Sequence, residues 1–211
     1  MLATRGYELV RSVFDAEEID TLLSQLPSVE RGGVRSLLDD PRVQHVARDP
    51  RLKRLTGPEF FAVRVVLFDK SPDANWALGW HQDLSIATRS RAEVSGFGPW
   101  TVKDGVPHTI APAQLLAEMV TLRVHLDDCG LESGPLKVKP GSHLAGRIAA
   151  DQFDRWSAEE VCVAARGDVL IFKPLLLHAS SSSTTDTHRR VLQIEFARTE
   201  LPAELQWRWR I

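Results

Sequence analysis

Two short stretches of this 211-residue chain each place a histidine and an aspartate with one residue between them. His81 and Asp83 lie in WHQDL, and His125 and Asp127 lie in VHLDD. Alternate side chains of an extended strand project from the same face, so either pair could offer an imidazole and a carboxylate to one divalent metal ion. The same spacing is also common among ordinary surface residues, and the spacing alone selects neither pair.

A site built from two histidines and one carboxylate needs another histidine from elsewhere in the chain. His178 is a candidate, because it follows the apolar run PLLL, although a histidine in such a place is often only structural. Ser180 would share its face if the strand continues, and Arg189 begins the next predicted strand. A metal, a hydroxyl and a guanidinium in these places would suit an α-keto dicarboxylate, whose far carboxylate needs a bidentate cationic partner.

The elements that must position these residues begin with a predicted helix from about Asp15 to Leu26. Asp15 and Glu18 form a capping-box pattern, and the apolar residues follow helical spacing. A second helical stretch covers Pro41 to Leu55, with an interruption near Pro50. The predicted strands are Phe60–Asp69, Met119–Asp127, Leu136–Lys139, Val161–Ala164, Asp168–Phe172 and Arg190–Ala197. Helices followed by many short strands predict an α+β chain, mainly β, with a sandwich or barrel as its body.

The stretch from Ser85 to Ala117 is rich in glycine and proline and contains no convincing strand pattern. PAQLLAEM within it predicts one short helix. Loops of this length inside a compact domain are usually functional or disordered. Because the segment directly follows the first His-Asp pair, we predict a lid or a wall of the substrate site; a solvent-exposed loop is the alternative.

Composition excludes several classes of protein. Hydrophobic residues make up 43% and charged residues 26%, the net charge is −2, and the basic residues form no stripe, so we expect no nucleic-acid partner. No apolar run is long enough to span a bilayer, and charges interrupt the first 14 residues, so we expect neither a membrane segment nor a signal peptide. Cys129 and Cys162 do not have the spacing of a metal site. A chain with only two cysteines favours a reducing, cytoplasmic environment.

Four motifs occur in a specific order: WHQDL, GPLKVKPGSH, LLLHASS and HRRVLQIEFA. From about Ala62 to Ala197, the chain resembles the phytanoyl-CoA dioxygenase family of iron(II)- and 2-oxoglutarate-dependent oxygenases. The resemblance implies a double-stranded β-helix (a cupin-like jelly roll) with N-terminal helices packed outside one sheet. We therefore predict one oxygenase domain over 1–211: a helical part over 1–58, a β-helix core over 59–200 with a lid-like insertion over 85–118, and a tail over 201–211.

The resemblance also implies roles for individual residues. The metal and catalytic residues would be His81, Asp83 and His178, and HLDD would be an internal strand. The 2-oxoglutarate residues would be Arg189 and, less directly matched, Ser180. Arg123 stands where relatives often have an aromatic residue beside 2-oxoglutarate. Strand alternation places Arg64, Arg123 and His125 on polar faces of their strands, which point either into the pocket or to solvent. If they point into the pocket, Arg64 and Arg123 could bind the co-substrate. His108, in the long segment, is a candidate substrate contact or an ordinary turn residue.

Arg189 and Arg190 are neighbours on a strand and must face opposite ways. Apolar burial alone would turn Arg190 inward together with Leu192, Ile194 and Phe196. Helices covering the outside of that sheet would instead bury the apolar set against themselves and leave Arg189 facing the pocket. Pattern alone does not choose between these arrangements, whereas the spacing from His178 in the resembled family selects Arg189.

The resemblance implies an enzyme that uses iron(II), 2-oxoglutarate and O₂ to hydroxylate a small molecule, with release of succinate and CO₂. The presence of Asp83 favours hydroxylation or desaturation over halogenation. The short chain leaves little room for a coenzyme A pocket, so the family's name does not identify the substrate. Two alternatives stay open: a metal-dependent β-helix enzyme that does not use 2-oxoglutarate, and a non-catalytic binding module.

Overall fold

The computed structural model of the protein describes residues 1–29 and 33–211, so residues 30–32 of the predicted N-terminal part lie outside the described residues. The helices are Leu2–Arg5 (α1), Ala16–Gln25 (α2), Pro41–Ala47 (α3), Pro50–Thr56 (α4) and Ala113–Ala117 (α5). The strands are Tyr7–Val10 (β1), Gly33–Val34 (β2), Phe61–Lys70 (β3), Leu78–His81 (β4), Ser85–Ala87 (β5), Trp100–Lys103 (β6), Val106–Ile110 (β7), Val120–His125 (β8), Leu136–Val138 (β9), Glu160–Cys162 (β10), Val169–Phe172 (β11), His178–Ser180 (β12) and Arg189–Ala197 (β13).

The largest sheet has six antiparallel strands in the order β1-β11-β8-β13-β3-β2. Leu192, Ile194 and Phe196 of β13 are buried in one cluster with Ile19 and Leu22 of α2. The helix begins at Asp15 with the predicted capping box, in which the Asp15 carboxylate accepts the Glu18 N–H at 2.9 Å. The predicted packing of N-terminal helices outside one sheet is therefore confirmed.

A second sheet has four strands in the order β10-β9-β12-β4, all antiparallel. It lies across from the inner face of the six-stranded sheet, because one cavity is lined by residues of β3, β8 and β13 together with residues of β4, β9 and β12. Two antiparallel sheets that enclose a central cavity form the predicted jelly roll.

Two expectations about the elements are wrong. The stretch from Ser85 to Ala117 is not strand-free: β5, β7 and β6 form a third antiparallel sheet, and only its helix α5 was expected. The N-terminal part is not purely helical, since β1 and β2 form the two edges of the six-stranded sheet. The predicted tail over 201–211 packs against the domain, because Ile211 exchanges two backbone hydrogen bonds with Ala62 and Trp207 is buried. Whether the 85–118 segment acts as a lid stays a prediction.

No helix within residues 1–29 and 33–211 is long and apolar enough to cross a membrane.

Candidate metal and cofactor site

His81 and His178 face each other across the pair of strands β4 and β12. They are direct partners in the antiparallel register, and their ring centroids lie 4.1 Å apart. Each Nδ1 lies 2.8 Å from a backbone carbonyl oxygen two residues earlier, of Gly79 and Leu176 respectively, and so carries the proton and donates it. Both Nε2 atoms are therefore left with a free lone pair, which is the form of imidazole that binds a metal.

Asp83 lies just beyond the end of β4, where its backbone N–H donates to the carbonyl of Pro174 at 2.9 Å. The intervening Gln82 points the other way, as strand alternation predicts. Its amide nitrogen donates to the carbonyls of Leu175 at 2.6 Å and Gly146 at 2.8 Å, and its oxygen accepts the Ile148 N–H at 2.8 Å. This buried carboxamide fixes the short segment that carries both predicted ligands.

The donor atoms of the three residues converge. Nε2 of His81 lies 3.9 Å from Oδ1 of Asp83, and Nε2 of His178 lies 3.7 Å from Oδ2. With metal–ligand bonds of about 2.1 Å, two donors to one ion lie at most about 4.2 Å apart, and both separations meet that limit. Oδ2 of Asp83 is buried without a hydrogen-bond partner. The three residues therefore fit a divalent metal ion.

The protonation states agree with a metal site. Burial lowers the pKa of His178 to about 4, so its imidazole is neutral at physiological pH. Burial opposes the ionisation of Asp83, but His178, His81 and nearby arginines outweigh it and hold the pKa of this carboxyl below its ordinary value. The site therefore combines a neutral imidazole at His178 with a carboxylate at Asp83.

The rival pair is not arranged in this way. Asp127 accepts two side-chain hydrogen bonds from Arg190, at 2.7 and 2.8 Å, and is thereby committed to an ion pair. His125 is buried, and burial lowers its pKa to about 3. In the described part of the chain, His81, Asp83 and His178 are the one group of three or more ligand-type residues close enough to share an ion.

The three residues open onto a small cavity of about 80 Å³. The lining residues are Phe68, Lys70, Trp76, Leu78, His81, Asp83, Arg123, Leu136, His178, Ser180, Arg189 and Gln193. Three of them, Lys70, Arg123 and Arg189, are cationic. Among residues 1–29 and 33–211, no carboxylate lies within 4.0 Å of any of these three side chains.

Each of these cations has only weak or neutral partners. Arg189 is 3% exposed and reaches the carbonyls of Ser133 and Gly134 at 3.4 and 3.3 Å. The Nε atom of Arg123 is buried without a partner. Lys70 is fully buried, donates to Oγ of Ser180 at 3.1 Å and also donates to a neighbouring backbone carbonyl. Unpaired buried cations are costly, and a bound anion would offset that cost.

Burial and mutual repulsion appear in the pKa values of the cations. Burial lowers the pKa of Lys70 to about 7, with smaller contributions from Arg189 and Arg123. Burial likewise lowers the pKa of Arg123 to about 10. A negatively charged ligand would reverse both effects.

Gly134 allows the chain to pass close to this cationic end. Its φ is +66°, and a Cβ there would lie 2.3 Å from the carbonyl oxygen of Ser181 and 3.1 Å from Nζ of Lys70. Only glycine therefore fits this position without moving the backbone that supports Lys70.

The structure brings together most of the residues predicted for co-substrate binding. Arg189, Ser180 and Arg123 line the cavity, whereas Arg190 points to the outside. Arg64 lies on the inner face of β3 but is bound to Glu195 and does not line this cavity. Lys70 was not predicted, although it continues the alternation of Arg64 and Phe68 along β3. That alternation was the available signal.

Comparison with known proteins agrees with this geometry. The family model "Phytanoyl-CoA dioxygenase (PhyH)" matches residues 28–191, about three quarters of the chain. The chain belongs to this family. The match to the phytanoyl-CoA dioxygenase family includes all three predicted metal ligands and Arg189. Among curated proteins, no sequence matches the chain.

Solved structures share the fold at low identity. The non-heme alpha ketoglutarate dependent epimerase SnoN from nogalamycin biosynthesis superimposes with a TM-score of 0.67 at 20% identity, covering 93% of this chain and 77% of that one. HygX from Streptomyces hygroscopicus with nickel and 2-oxoglutarate bound gives 0.65 at 19%, covering 93% and 84%. AviO1 from Streptomyces viridochromogenes Tue57 gives 0.66 at 21%, covering 96% and 93%.

Proposed function

We propose that this member of the phytanoyl-CoA dioxygenase family is an iron(II)- and 2-oxoglutarate-dependent dioxygenase that hydroxylates a small molecule. One observation carries the proposal: a single cavity has two histidines and an aspartate at one end and three unpaired cations at the other. A dianion that chelates a metal through one end and presents a carboxylate at the other end fits both ends at once. 2-Oxoglutarate is such a molecule.

The assignment of the ends follows from the side chains. His81, Asp83 and His178 would hold iron(II), since two imidazoles and one carboxylate are typical ligands of non-heme iron oxygenases. Arg189 would form the bidentate pair with the far carboxylate, supported by the hydroxyl of Ser180 and the ammonium of Lys70. Arg123 lies in the same cavity and would add to the positive potential. Arg64, already neutralised by Glu195, is left for another role.

When bound, iron and 2-oxoglutarate supply the oxidation: substrate R–H, 2-oxoglutarate and O₂ give R–OH, succinate and CO₂. The protein's own residues fix the two ligand histidines through their backbone hydrogen bonds and hold the co-substrate at its far end. Asp83 occupies the carboxylate position, which supports hydroxylation over halogenation. The epimerase and the carbocyclase among the solved structures show that this fold hosts other oxidative outcomes.

A screen for substrate tests the proposal. The protein is incubated with iron(II), 2-oxoglutarate, O₂ and a metabolite panel, and succinate release above the uncoupled background is measured, with Asp83→Ala as control. We expect iron-dependent succinate formation that the control lacks, and a product heavier than its substrate by one oxygen. Metal binding without 2-oxoglutarate binding would favour a metal-dependent enzyme of another class. Absence of both would favour a binding module.

We also propose a cytoplasmic location. Cys129 and Cys162 are both buried and free, and unpaired thiols persist in a reducing compartment.

A further inference from the structure

A second polar region lies on the inner face of the six-stranded sheet, apart from the cationic end of the cavity. Here the buried Arg64 forms an ion pair with the buried Glu195. Burial works against the charge of Arg64, but Glu195 overcomes it and holds the pKa of the guanidinium above its ordinary value. Asp83 also acts on Arg64, so this ion pair lies near the predicted metal. The pair neutralises itself, yet Nε of Arg64 is buried without a partner.

His108 is the central residue of the three-stranded sheet beside this region. In the antiparallel register it pairs with Ala87 on β5 and Thr101 on β6, and it is 3% exposed. Its Nδ1–H donates to the carbonyl of Val106 at 2.9 Å, which leaves Nε2 as a hydrogen-bond acceptor. Nε2 is buried and has no partner within the described residues. A buried hydrogen-bond acceptor without a partner is energetically unfavourable, so a ligand that donates a hydrogen bond to Nε2 would be stabilised here.

The imidazole of His108 is neutral. Burial lowers its pKa, and the positive charges of Arg64, Lys103 and Arg35 lower it further. Its Nε2 can therefore accept a hydrogen bond from a hydroxyl or an amine but cannot donate one.

Lys103 supplies an uncompensated charge at the same place. It lies two residues after Thr101 on β6, so strand alternation puts it on the same face as His108. Outside residues 30–32, no carboxylate lies within 4.0 Å of its ammonium group, and Asp104 beside it is 3.9 Å from Arg35 instead. Burial lowers the pKa of Lys103, Arg64 and Arg35 lower it further, and Glu195 and Asp83 act in the opposite direction. Ser85 shares this face through Ala87, the partner of His108, and it follows the predicted metal ligand Asp83 by two residues, so the face of Lys103 and His108 adjoins the predicted metal site.

We propose that Lys103 and His108 bind the primary substrate, and that this substrate is a small molecule with an anionic group and a nearby hydroxyl or amine. Its carboxylate or phosphate pairs with Lys103, and its O–H or N–H donates to Nε2 of His108. The inference rests on the proposed function, in which Asp83, two residues before Ser85 of β5, would hold the metal. An apolar substrate would leave Lys103, His108 and the buried Oγ of Ser85 without partners.

Binding of simple probes tests the charge requirement without turnover. Protein saturated with Mn²⁺ and 2-oxoglutarate is titrated with inorganic phosphate or with acetate, and paramagnetic relaxation of the probe's ³¹P or methyl ¹H signal is measured. We expect saturable enhancement for at least one probe, and the more effective probe identifies phosphate or carboxylate as the preferred group. Lys103→Gln should weaken binding at least tenfold, whereas Lys53→Gln, an exposed lysine of α4, should leave it unchanged.

A matched pair of carboxylates tests the acceptor. 3-Hydroxybutyrate should bind more tightly than butyrate to the wild-type complex, and His108→Phe should remove that difference while leaving butyrate binding unchanged. Enhancement that is absent for every probe, or equal in Lys103→Gln, would overturn the inference although Mn²⁺ and 2-oxoglutarate are bound. Failure of Mn²⁺ or 2-oxoglutarate to bind would instead overturn the proposed function.

Discussion

Arg189 and Arg190 are adjacent in sequence and differ sharply in their surroundings, which makes them a matched pair for testing co-substrate binding. Arg189 is 3% exposed, lines the cavity and has only two long hydrogen bonds to backbone carbonyls. The side chain of Arg190 is 32% exposed and is bound to Asp127 on the outside of the sheet. Alanine at position 189 should therefore remove a ligand contact, and alanine at 190 only a surface ion pair.

The magnitude follows from the burial of each group. Loss of one partner of a buried ion pair costs about 3–5 kcal/mol, or roughly 10²–10³-fold or more in affinity. Because Lys70 and Arg123 remain in the same cavity, we expect the lower end, a loss of about 10²-fold for 2-oxoglutarate. The partly exposed pair of Arg190 and Asp127 contributes about 1 kcal/mol to stability, and nothing to co-substrate affinity.

Replacement of Arg189 should not lower the free energy of unfolding, although it lowers co-substrate affinity. Arg189→Met removes a buried cation that lies near two others, so the ligand-free variant should unfold with an unchanged or larger free energy than the wild type. Loss of co-substrate affinity without loss of stability is the pattern of a binding residue.

Calorimetric titration of 2-oxoglutarate into the Mn²⁺-loaded proteins measures the affinities, and urea unfolding of the ligand-free proteins measures the stabilities. A larger loss of affinity in Arg190→Ala than in Arg189→Ala would refute the assignment and, with it, the role of the helix-covered sheet. Destabilisation of ligand-free Arg189→Met by several kcal/mol would show that the residue serves the fold.

Three further predictions concern the rest of the site. Asp83→Ala and His178→Ala should each lower the affinity for Mn²⁺ or iron(II) by at least 10²-fold in calorimetry, because two protein ligands hold the ion poorly. The control His125→Ala should retain the wild-type affinity. Loss of affinity in the His125 variant alone would reverse the choice between the two motifs. Burial lowers the pKa of Lys70 to about 7, so its amine loses its charge as the pH rises through that value, and the affinity for 2-oxoglutarate should fall between pH 7 and 9. Lys70→Met should bind 2-oxoglutarate more weakly and with a flatter pH profile. An unchanged slope of affinity against pH in this variant would count against the role of Lys70. Gln82→Ala leaves the buried backbone partners of this side chain unsatisfied. It should therefore lower the free energy of unfolding in urea by about 1–3 kcal/mol and weaken metal binding. Full metal affinity in this variant would show that the segment does not need the Gln82 side chain to hold the ligands.

Local patterns predicted the elements that carry strong periodic signals. The capping residues and apolar face of α2 are local in sequence, and the long strand β3 is rich in β-branched and aromatic residues. The candidate metal ligands His81, Asp83 and His178 were selected because histidine and aspartate at these places match the family's motifs, and the structure brings the three together. The apolar faces of β13 and of a helix far away in sequence made an inward-facing Arg189 possible but did not decide it; the spacing from His178 in the resembled family selected Arg189.

The three-stranded sheet could not be predicted because its signals are weak and non-local. Its strands have three to five residues, and Pro107 lies inside one of them. Ile86 and Trp100 belong to one apolar cluster with Phe61 and Trp207, which are distant in sequence, so no local alternation marks their faces.

The ion pair of Arg64 with Glu195 could not be predicted either, because it too is non-local. Strand alternation predicts its inner-face position, but its partner Glu195 lies 131 residues away on a neighbouring strand. A shift of register on β13 lies next to that contact, between Glu195 and Phe196, and such a shift cannot be read from sequence.

The most direct test of the central claim is an anaerobic absorption titration of the protein with iron(II) and 2-oxoglutarate. Chelation of iron by the keto acid gives a weak visible charge-transfer band that neither component gives alone. We predict that the band appears only with both present, saturates at one iron and one 2-oxoglutarate per chain, and changes shape when a true substrate binds. Tight iron binding with no band at saturating 2-oxoglutarate would contradict the account.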